Sequence, residues 1–219
     1  MNIKHHLDEA TLMSYAAGSL SQGMALVVAC HLTMCKTCSQ RLHKHNAIGG
    51  ALLEQIAPAD IQQNALDDIL ARLDQPATPT FTKLNQVPDK KAIADIPYPL
   101  SDYITQQLSD LPWKKLGNSV AYYDIACGST GLSRLMRINP GCALLPHTHS
   151  GNELTLVLKG SFCDELGRFN IGDIADLDDE VEHQPLVDGN SPCFCLVATD
   201  APLKFSTIIG KIIQPMTGF

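Results

Sequence analysis

Apolar side chains in the first 75 residues recur at the spacing of α-helices. In "DEATLMSYAAGS", Asp8 can cap a first helix and Gly18 can end it. Ser21 can open a second helix through "QGMALVVACHL", and a third is expected from near Lys36 to Ile56. This part of the chain is therefore predicted to be all-α.

A further amphipathic helix is predicted after the break at Pro58. In "ADIQQNALDDILARLDQ" it would begin with Asp60 as its cap and run to Gln75. Its apolar residues fall on one side, which is usually a core-facing stripe. The stripe consists of Ile61, Ala65, Leu66, Ile69, Leu70 and Leu73.

Residues 76–97 hold four prolines and no sustained periodicity, which is typical of a linker. Its length suggests that the two halves can move relative to each other. From Val120 onward the pattern changes to short β-type runs such as "VAYYDIA", "GLSRLMRI", "CALLP", "LTLVLKG", "HQPLVDG" and "FSTIIGKII", separated by turn residues. The chain is therefore divided into an all-α domain at 1–76, a linker at 77–97 and an all-β sandwich or barrel domain at 98–219.

Composition excludes a membrane protein. The longest uninterrupted apolar stretch, Met24–Cys30, is far short of the ~20 residues that span a bilayer. The N-terminus has no apolar segment of a secretory signal, so a cytoplasmic location is expected. In that reducing compartment the eight cysteines indicate metal ligands, redox groups or small core residues before disulfides.

The net charge of −7 is shared by both halves. Residues 1–76 carry five Lys and Arg against seven Asp and Glu, and residues 77–219 carry eleven against sixteen. Direct nucleic-acid binding needs a basic face and is not expected. A protein partner or a cation fits this charge better.

A cluster of metal-ligand residues lies in the second half. His147 and His149 are separated by one residue, so a strand points both imidazoles to the same face. A turn then lets Glu153 return to this point, and His183 follows later. Taken alone, a His-x-His pair is as often two solvated strand residues as a pair of metal ligands. The full set of nitrogen and oxygen ligands suits Zn, Mn, Fe, Ni or Cu.

A second cluster lies in "HLTMCKTC" of the first half. One continuous helix would put His31, Cys35 and Cys38 on one side, and a helix that ends near Leu32 and restarts at the cysteines could also bring them together. Tetrahedral zinc needs a fourth ligand, for which His5 and His6 are the nearest candidates; we take His6. The alternatives are a redox pair, which lacks its usual βαβ context, and a helix face packed in a core.

The spacing in the second half resembles the first motif of the cupin family, a jelly-roll barrel. Of the second cupin motif only Gly172 and His183 are recognisable, because the usual Pro-x-Gly is missing. The positions that match the first motif are Gly141, His147, His149, Glu153 and Gly160.

A His-x-x-x-Cys-x-x-Cys unit on a small helical domain, followed by a cupin, resembles the ChrR-type zinc-binding anti-sigma factors. The likeness rests on "HHLDEATLMSYAAGSL", "ACHLTMCKTC", "PHTHSGNELTLVLKGSF" and "GRFNIGDIADLDDEVEHQP". It implies that the helices sequester an extracytoplasmic-function sigma factor of the sigma-E type, and that the cupin-like domain is needed to release it in response to singlet oxygen or related oxidants. The implied metal ligands are His6, His31, Cys35 and Cys38 for zinc, and His147, His149, Glu153 and His183 for a divalent transition metal (Zn, Mn, Fe or Ni).

The helix over 60–75 is then expected to bind the sigma factor through its apolar side. The runner-up function is a cupin metalloenzyme of the dioxygenase kind with a helical appendage. Cys193 and Cys195 could form a redox pair or be small core residues, and the acidic run at 176–182 is interpreted as a solvated turn. A homo-oligomer formed through the cupin-like domain is left open.

Overall fold

The computed structural model describes residues 2–73, 96–127, 131–201 and 203–205, without the side chains of His149 and residues 203–205. The described residues contain four α-helices, none of which is long and apolar enough to cross a membrane. They are α1 (Glu9–Ala16), α2 (Gln22–Met34), α3 (Lys36–Glu54) and α4 (Ala65–Leu73).

The first three helices confirm the prediction. The Asp8 side chain caps α1 by accepting from the Thr11 N–H, and Ser21 caps α2 in the same way. Helix α3 passes through Gly49 and Gly50 without a break and ends two residues before the expected Ile56.

The predicted bounds of the fourth helix are wrong at its start. The helix begins at Ala65, five residues after the expected cap Asp60, and residues 63–64 form a turn. Ile61, the one apolar residue between Asp60 and Ala65, is 81% exposed. A helix this short depends on packing, and residues 60–64 are exposed or nearly so among the described residues, which gives the helix little to extend it. The expected end at Gln75 lies outside the described residues.

Ten strands follow in the described part of the chain, after a short 3₁₀ helix at Tyr98–Asp102. They are β1 (Lys114–Leu116), β2 (Val120–Asp124), β3 (Leu132–Ile138), β4 (His147–His149), β5 (Glu153–Lys159), β6 (Ser161–Asp164), β7 (Gly167–Asn170), β8 (Ile174–Leu177), β9 (Cys193–Thr199) and β10 (Leu203–Phe205).

The strands form one large and two small antiparallel sheets. The large sheet has the order β1-β2-β3-β9-β5-β8, and the small sheets pair β10 with β4 and β6 with β7. The all-α to all-β change is therefore confirmed. Two expected strands are wrong, because "CALLP" and "HQPLVDG" contribute only isolated bridges such as Ala143–Leu186. Most of "FSTIIGKII" lies outside the described residues.

The central strands of the large sheet are buried on both faces. On β5, Leu154 and Leu156 pack with the helices, whereas Val157 faces the second core inside the barrel. On β9, Leu196 packs with the helices, whereas Cys195 faces the second core inside the barrel. Continuous apolar runs are what such doubly covered strands require.

Helix α2 lies directly on this sheet. The two are in close contact at Gly23, where an added Cβ would overlap the Ser133 hydroxyl. Val27 and Val28 are fully buried in the core that the helices share with the barrel. The two halves expected to move relative to each other are thus in close contact, while the linker residues 77–95 lie outside the described residues.

Candidate metal centres

The structure brings the four predicted residues of the helical half together. The Nδ1 atom of His6 lies 3.2 Å from the sulfur of Cys35 and 3.6 Å from that of Cys38. One ligand atom from each of these residues and from His31 falls within 4.8 Å of the others. Two nitrogens and two sulfurs match the tetrahedral set of a structural zinc site.

The α2–α3 junction positions three of these side chains. Helix α2 carries His31 and ends at Met34, and α3 restarts at Lys36. Cys35 lies between them as the N-cap of α3, where its sulfur accepts from the Cys38 N–H at 3.4 Å. Of the two geometries that the spacing allowed, the structure has the helix that stops and restarts.

The two ring nitrogens of His31 have surroundings that suit a metal ligand. Its Nδ1 bonds to the Gly172 carbonyl oxygen at 3.0 Å and must therefore donate. Its buried Nε2 has no hydrogen-bond partner among the described residues. Burial lowers the pKa of His31 to about 4, so the ring is neutral and Nε2 carries a lone pair. A buried, unsatisfied acceptor beside two thiols fits a metal ion.

Cys38 is a buried member of the cluster. Burial raises the pKa of the Cys38 thiol to about 11, and a metal ion would reverse this by binding the thiolate.

The cysteine and the histidine next to the cluster, Cys30 and His5, have different surroundings. Cys30 is fully buried outside the cluster. His5 turns away and stacks on Phe169, with ring centroids 4.0 Å apart. Of the two histidine candidates, only His6 faces the cysteines.

A second cluster lies inside the barrel. His147 on β4, Glu153 at the start of β5 and His183 each offer a ligand atom, and these atoms lie within 4.8 Å of one another. The backbones of His147 and His183 are bridged by two hydrogen bonds of 3.3 and 3.2 Å. All three residues are buried.

Hydrogen bonds set the tautomers of the two barrel histidines. His147 donates from Nδ1 to the Leu145 carbonyl oxygen at 2.8 Å, and His183 donates from Nδ1 to the Asp164 carboxylate at 3.1 Å. Their Nε2 atoms then face each other at 3.1 Å. Two nitrogen lone pairs at this distance need a cation or a proton between them, so the pair fits a metal ion about 2.1 Å from each nitrogen.

The remaining predicted ligand of the barrel lies outside the described side chains. His149 belongs to β4, whose backbone pairs with β10 opposite Leu203, but its side chain is not described.

Two further features of the barrel cluster concern Glu153 and His147. Thr155, which was not predicted, donates a hydrogen bond to Glu153 at 2.9 Å. Burial lowers the pKa of His147, which keeps this ring neutral for a metal ion.

A cavity of about 330 Å³ opens beside the barrel cluster. His147, Glu153 and His183 are part of its lining. The volume lies at the lower end of the range of small-molecule pockets. The apolar part of its wall includes Leu116, Val120, Met136, Ile138, Leu144 and Phe162.

Cys193 and Cys195 are neighbours in the wall of the barrel. Both are buried, and their sulfurs lie 3.5 Å apart without a disulfide. The hydrogen bond with Cys193, together with burial, raises the pKa of Cys195, so this thiol stays protonated. The geometry agrees with the small core residues that the sequence allowed.

The acidic run at 176–182 is not a solvated turn throughout. Asp176 belongs to β8 and accepts from the Asp8 N–H at 3.0 Å and the Thr11 hydroxyl at 3.2 Å. Burial raises its pKa to about 6. Asp164 and Asp173 were likewise not predicted, because their roles depend on partners far away in the sequence.

Comparison with known proteins extends over nearly the whole chain. The anti-sigma-E factor ChrR of Cereibacter sphaeroides is 40% identical over 215 residues, which cover 98% of both chains. The family model described as the ChrR cupin-like domain matches residues 101–202.

Solved structures agree with this match. The chain superimposes on the crystal structure of Rhodobacter sphaeroides SigE in complex with the anti-sigma ChrR with a TM-score of 0.76 and 39% identity, covering 91% of this chain and all of that one. A cupin protein of Ralstonia eutropha is 16% identical over 47% of this chain and 71% of that one, with a TM-score of 0.40. A likeness at that level carries no argument about function.

Proposed function

This chain belongs to the ChrR family of anti-sigma factors, and on that basis we propose that it binds a sigma factor of the sigma-E type and withholds it from RNA polymerase. The matching relative is an anti-sigma factor, and its solved counterpart is in complex with SigE. The metalloenzyme alternative is therefore set aside. Since sigma factors act with RNA polymerase in the cytoplasm, the same location is proposed for this chain.

The observation that carries this proposal is an exposed apolar surface on the helices. Helix α4 has no buried residue, although one of its sides is apolar. The end of α3 and the residues after it expose further large apolar side chains, and exposed apolar patches of this kind mark binding surfaces. The docking surface consists of Ile48, Leu52, Leu53, Ile56, Ile61, Leu66, Ile69, Leu70 and Leu73, each at least half exposed.

Charge supports a sigma factor as the occupant of the docking surface. The first turn of α4 carries Asp67 and Asp68, and the whole chain has a net charge of −7. A sigma factor uses basic surface to contact DNA, and complementary charge steers association. The apolar side of α4 would enter a groove of the partner as an amphipathic helix.

We further assign zinc to His6, His31, Cys35 and Cys38, where it would hold the helices in the binding-competent shape. His147, His149, Glu153 and His183 would hold a divalent transition metal, for which zinc, manganese, iron and nickel are candidates. The cavity beside the second set gives small molecules a route to it. The barrel would thus be the part that detects singlet oxygen or related oxidants and causes release of the sigma factor.

Copurification with an extracytoplasmic-function sigma factor from the same organism tests the binding proposal. Leu70→Asp on α4 should weaken the complex by about 30-fold or more, the effect expected at the centre of an interface. Leu166→Asp is the matched control, because Leu166 on the barrel is 48% exposed and Leu70 is 50% exposed. Failure of the unaltered chain to bind any such sigma factor, or equal affinity of both variants, would contradict the proposal.

Exposure of the purified complex to singlet oxygen from an illuminated photosensitiser tests the response. The unaltered chain should release its sigma factor, while the Glu153→Gln chain should retain it. Release that is the same in both chains would remove the barrel site from the response.

A further inference from the structure

Two consecutive residues of the barrel contact both ligand-bearing segments of the helical cluster. They are Gly172 and Asp173, which form the turn between β7 and β8 with Ile171. The Gly172 carbonyl oxygen accepts from the buried His31 ring. Asp173, also fully buried, accepts from the backbone N–H of Lys4 at 2.6 Å and of His5 at 3.0 Å.

The bond to Gly172 decides which nitrogen of His31 faces the thiols. With Nδ1 donating to the barrel, Nε2 remains as the acceptor toward Cys35 and Cys38. An outer acceptor of this kind fixes the tautomer and orientation of a ligating histidine. Gly172 has φ +89°, a conformation that other residues rarely adopt, so its carbonyl direction depends on glycine.

Asp173 acts on His6 through the neighbouring residue His5. The His5 N–H is bound to Asp173, its ring stacks on Phe169, and its Nε2 lies 3.1 Å from the Arg168 carbonyl oxygen. The His5 carbonyl oxygen also accepts from Ile174 N–H at 3.4 Å. With His5 fixed in this way, the next residue directs its ring at the cysteines.

The turn itself is held by the barrel. The second carboxylate oxygen of Asp173 accepts from the Asn170 N–H at 2.8 Å. Although burial acts to raise its pKa, backbone hydrogen bonds from His5, Asn170 and Lys4 hold the pKa of Asp173 below its usual value. Strand β8, which follows, pairs with β5, and Leu177 lies opposite Glu153.

We propose that the β7–β8 turn forms the outer shell of the helical zinc site, with Gly172 and Asp173 as positioning residues. The proposal rests on the proposed function only for the zinc ligands. Strand β8 contacts the N-terminal segment that carries His6 along one edge and the strand of Glu153 along the other, and the turn before β8 contacts His31. A change in the barrel that displaces β8 would therefore reach the zinc ligands without passing through the linker.

Zinc release from the full-length chain to the chelator 4-(2-pyridylazo)resorcinol tests this proposal. Asp173→Ala should release the helical zinc about tenfold faster or more, because outer-shell changes cost ~10–100-fold in metal affinity. Cys35→Ser identifies which phase of release belongs to this site. The matched control is Asp124→Ala, which removes a carboxylate that pairs with Lys114 and Arg134 on the barrel.

Two further readouts separate positioning from general stability. Asp173→Asn keeps an acceptor oxygen and should restore much of the slow release. In ¹⁵N spectra of the histidine rings, Asp173→Ala should change the signals of His6 and His31 and leave those of His147 and His183 unchanged.

Equal release rates and equal ring spectra in Asp173→Ala and Asp124→Ala would overturn the proposal. Equal acceleration in Asp173→Ala and Asp173→Asn, with loss of the barrel metal, would also overturn it by indicating general unfolding. Failure of the chain to bind a sigma factor would leave this comparison intact, because zinc release is measured without the partner.

Discussion

The two clusters of metal-ligand residues differ most in their surroundings. The helical cluster offers two sulfurs and two nitrogens, and main-chain and carboxylate oxygens from the other half of the molecule support it. The barrel cluster offers imidazole and carboxylate, and Asp164 and Thr155 of the same barrel support it. Only the barrel cluster lines the 330 Å³ cavity.

This difference indicates different roles for clusters of similar size. A closed set with thiolates is typical of a metal ion that stabilises a fold. A nitrogen and oxygen set beside a cavity is typical of a metal ion that small molecules can reach. Donor type and access, more than the number of ligands, separate the two sites.

The largest expected effect comes from Cys35→Ser. Elemental analysis should show the loss of one zinc per chain, because the site then lacks a thiolate. The free energy of unfolding should fall by about 5 kcal/mol or more, since zinc contributes ~10–16 kcal/mol in small zinc domains. Urea denaturation followed by circular dichroism measures this change.

Cys30→Ala is the matched control for Cys35→Ser. Cys30 is equally buried on α2 but lies outside the cluster, so its replacement should cost about 1 kcal/mol and no metal. Unchanged zinc content in Cys35→Ser would show that the helical cluster is a packed core without a metal ion.

The next effect in size is expected from Glu153→Gln in the barrel. Removal of the carboxylate charge should lower the affinity of the barrel site for its metal ion by more than the ~100-fold that outer-shell changes cost. The affinity of the helical site for zinc should stay unchanged. Competition with a chelator measures both affinities. Glu180→Gln, at an exposed position of the acidic run, should change neither. If the barrel metal stays bound in Glu153→Gln, this residue is not a ligand.

The smallest expected effect concerns Asp176, which links α1 to β8. Its pKa of about 6 in the folded protein lies above the ordinary 3.8, so the folded protein keeps a proton that the unfolded chain loses. Stability should therefore fall as the pH rises from about 4 to 6, by on the order of 2 kcal/mol. Asp176→Asn should remove this pH dependence in urea denaturation.

Asp178→Asn is the control for the pH dependence, because Asp178 is exposed. Its difference in stability from the unaltered chain should stay flat over the same pH range. If the difference in stability between Asp176→Asn and the unaltered chain does not change with pH, the folded protein does not raise the pKa of Asp176.

Local sequence patterns were sufficient for much of the fold and for the composition of both clusters. Caps such as Asp8 and Ser21 act within one helical turn, so the sequence contains both partners. Ligand spacings around His31 and His147 are local in the same sense. For the packing of α2 on the sheet, the sequence contains only an indirect indication, which is the glycine at position 23 beside an apolar run.

The residues that the sequence analysis missed depend on distant partners. Asp173 and Asp176 stand in or next to a run of acidic residues, and hydropathy alone places such residues in solvent. Their contacts are with Lys4, His5, Asp8 and Thr11, which are separated from them by most of the chain. The late start of α4 has the opposite cause, because Ile61 is exposed and, in the part of the chain that the structure describes, is not buried by any partner.

Strand β8 has one more consequence, which concerns assembly. It is one of the two edge strands of the large sheet, and the N-terminal residues from Lys4 to Asp8 run beside its outer edge. An uncovered edge strand exposes unpaired backbone groups that can pair with another chain. The N-terminal segment therefore also protects the sheet, and any state in which the helices leave the barrel exposes an edge at which two molecules can join.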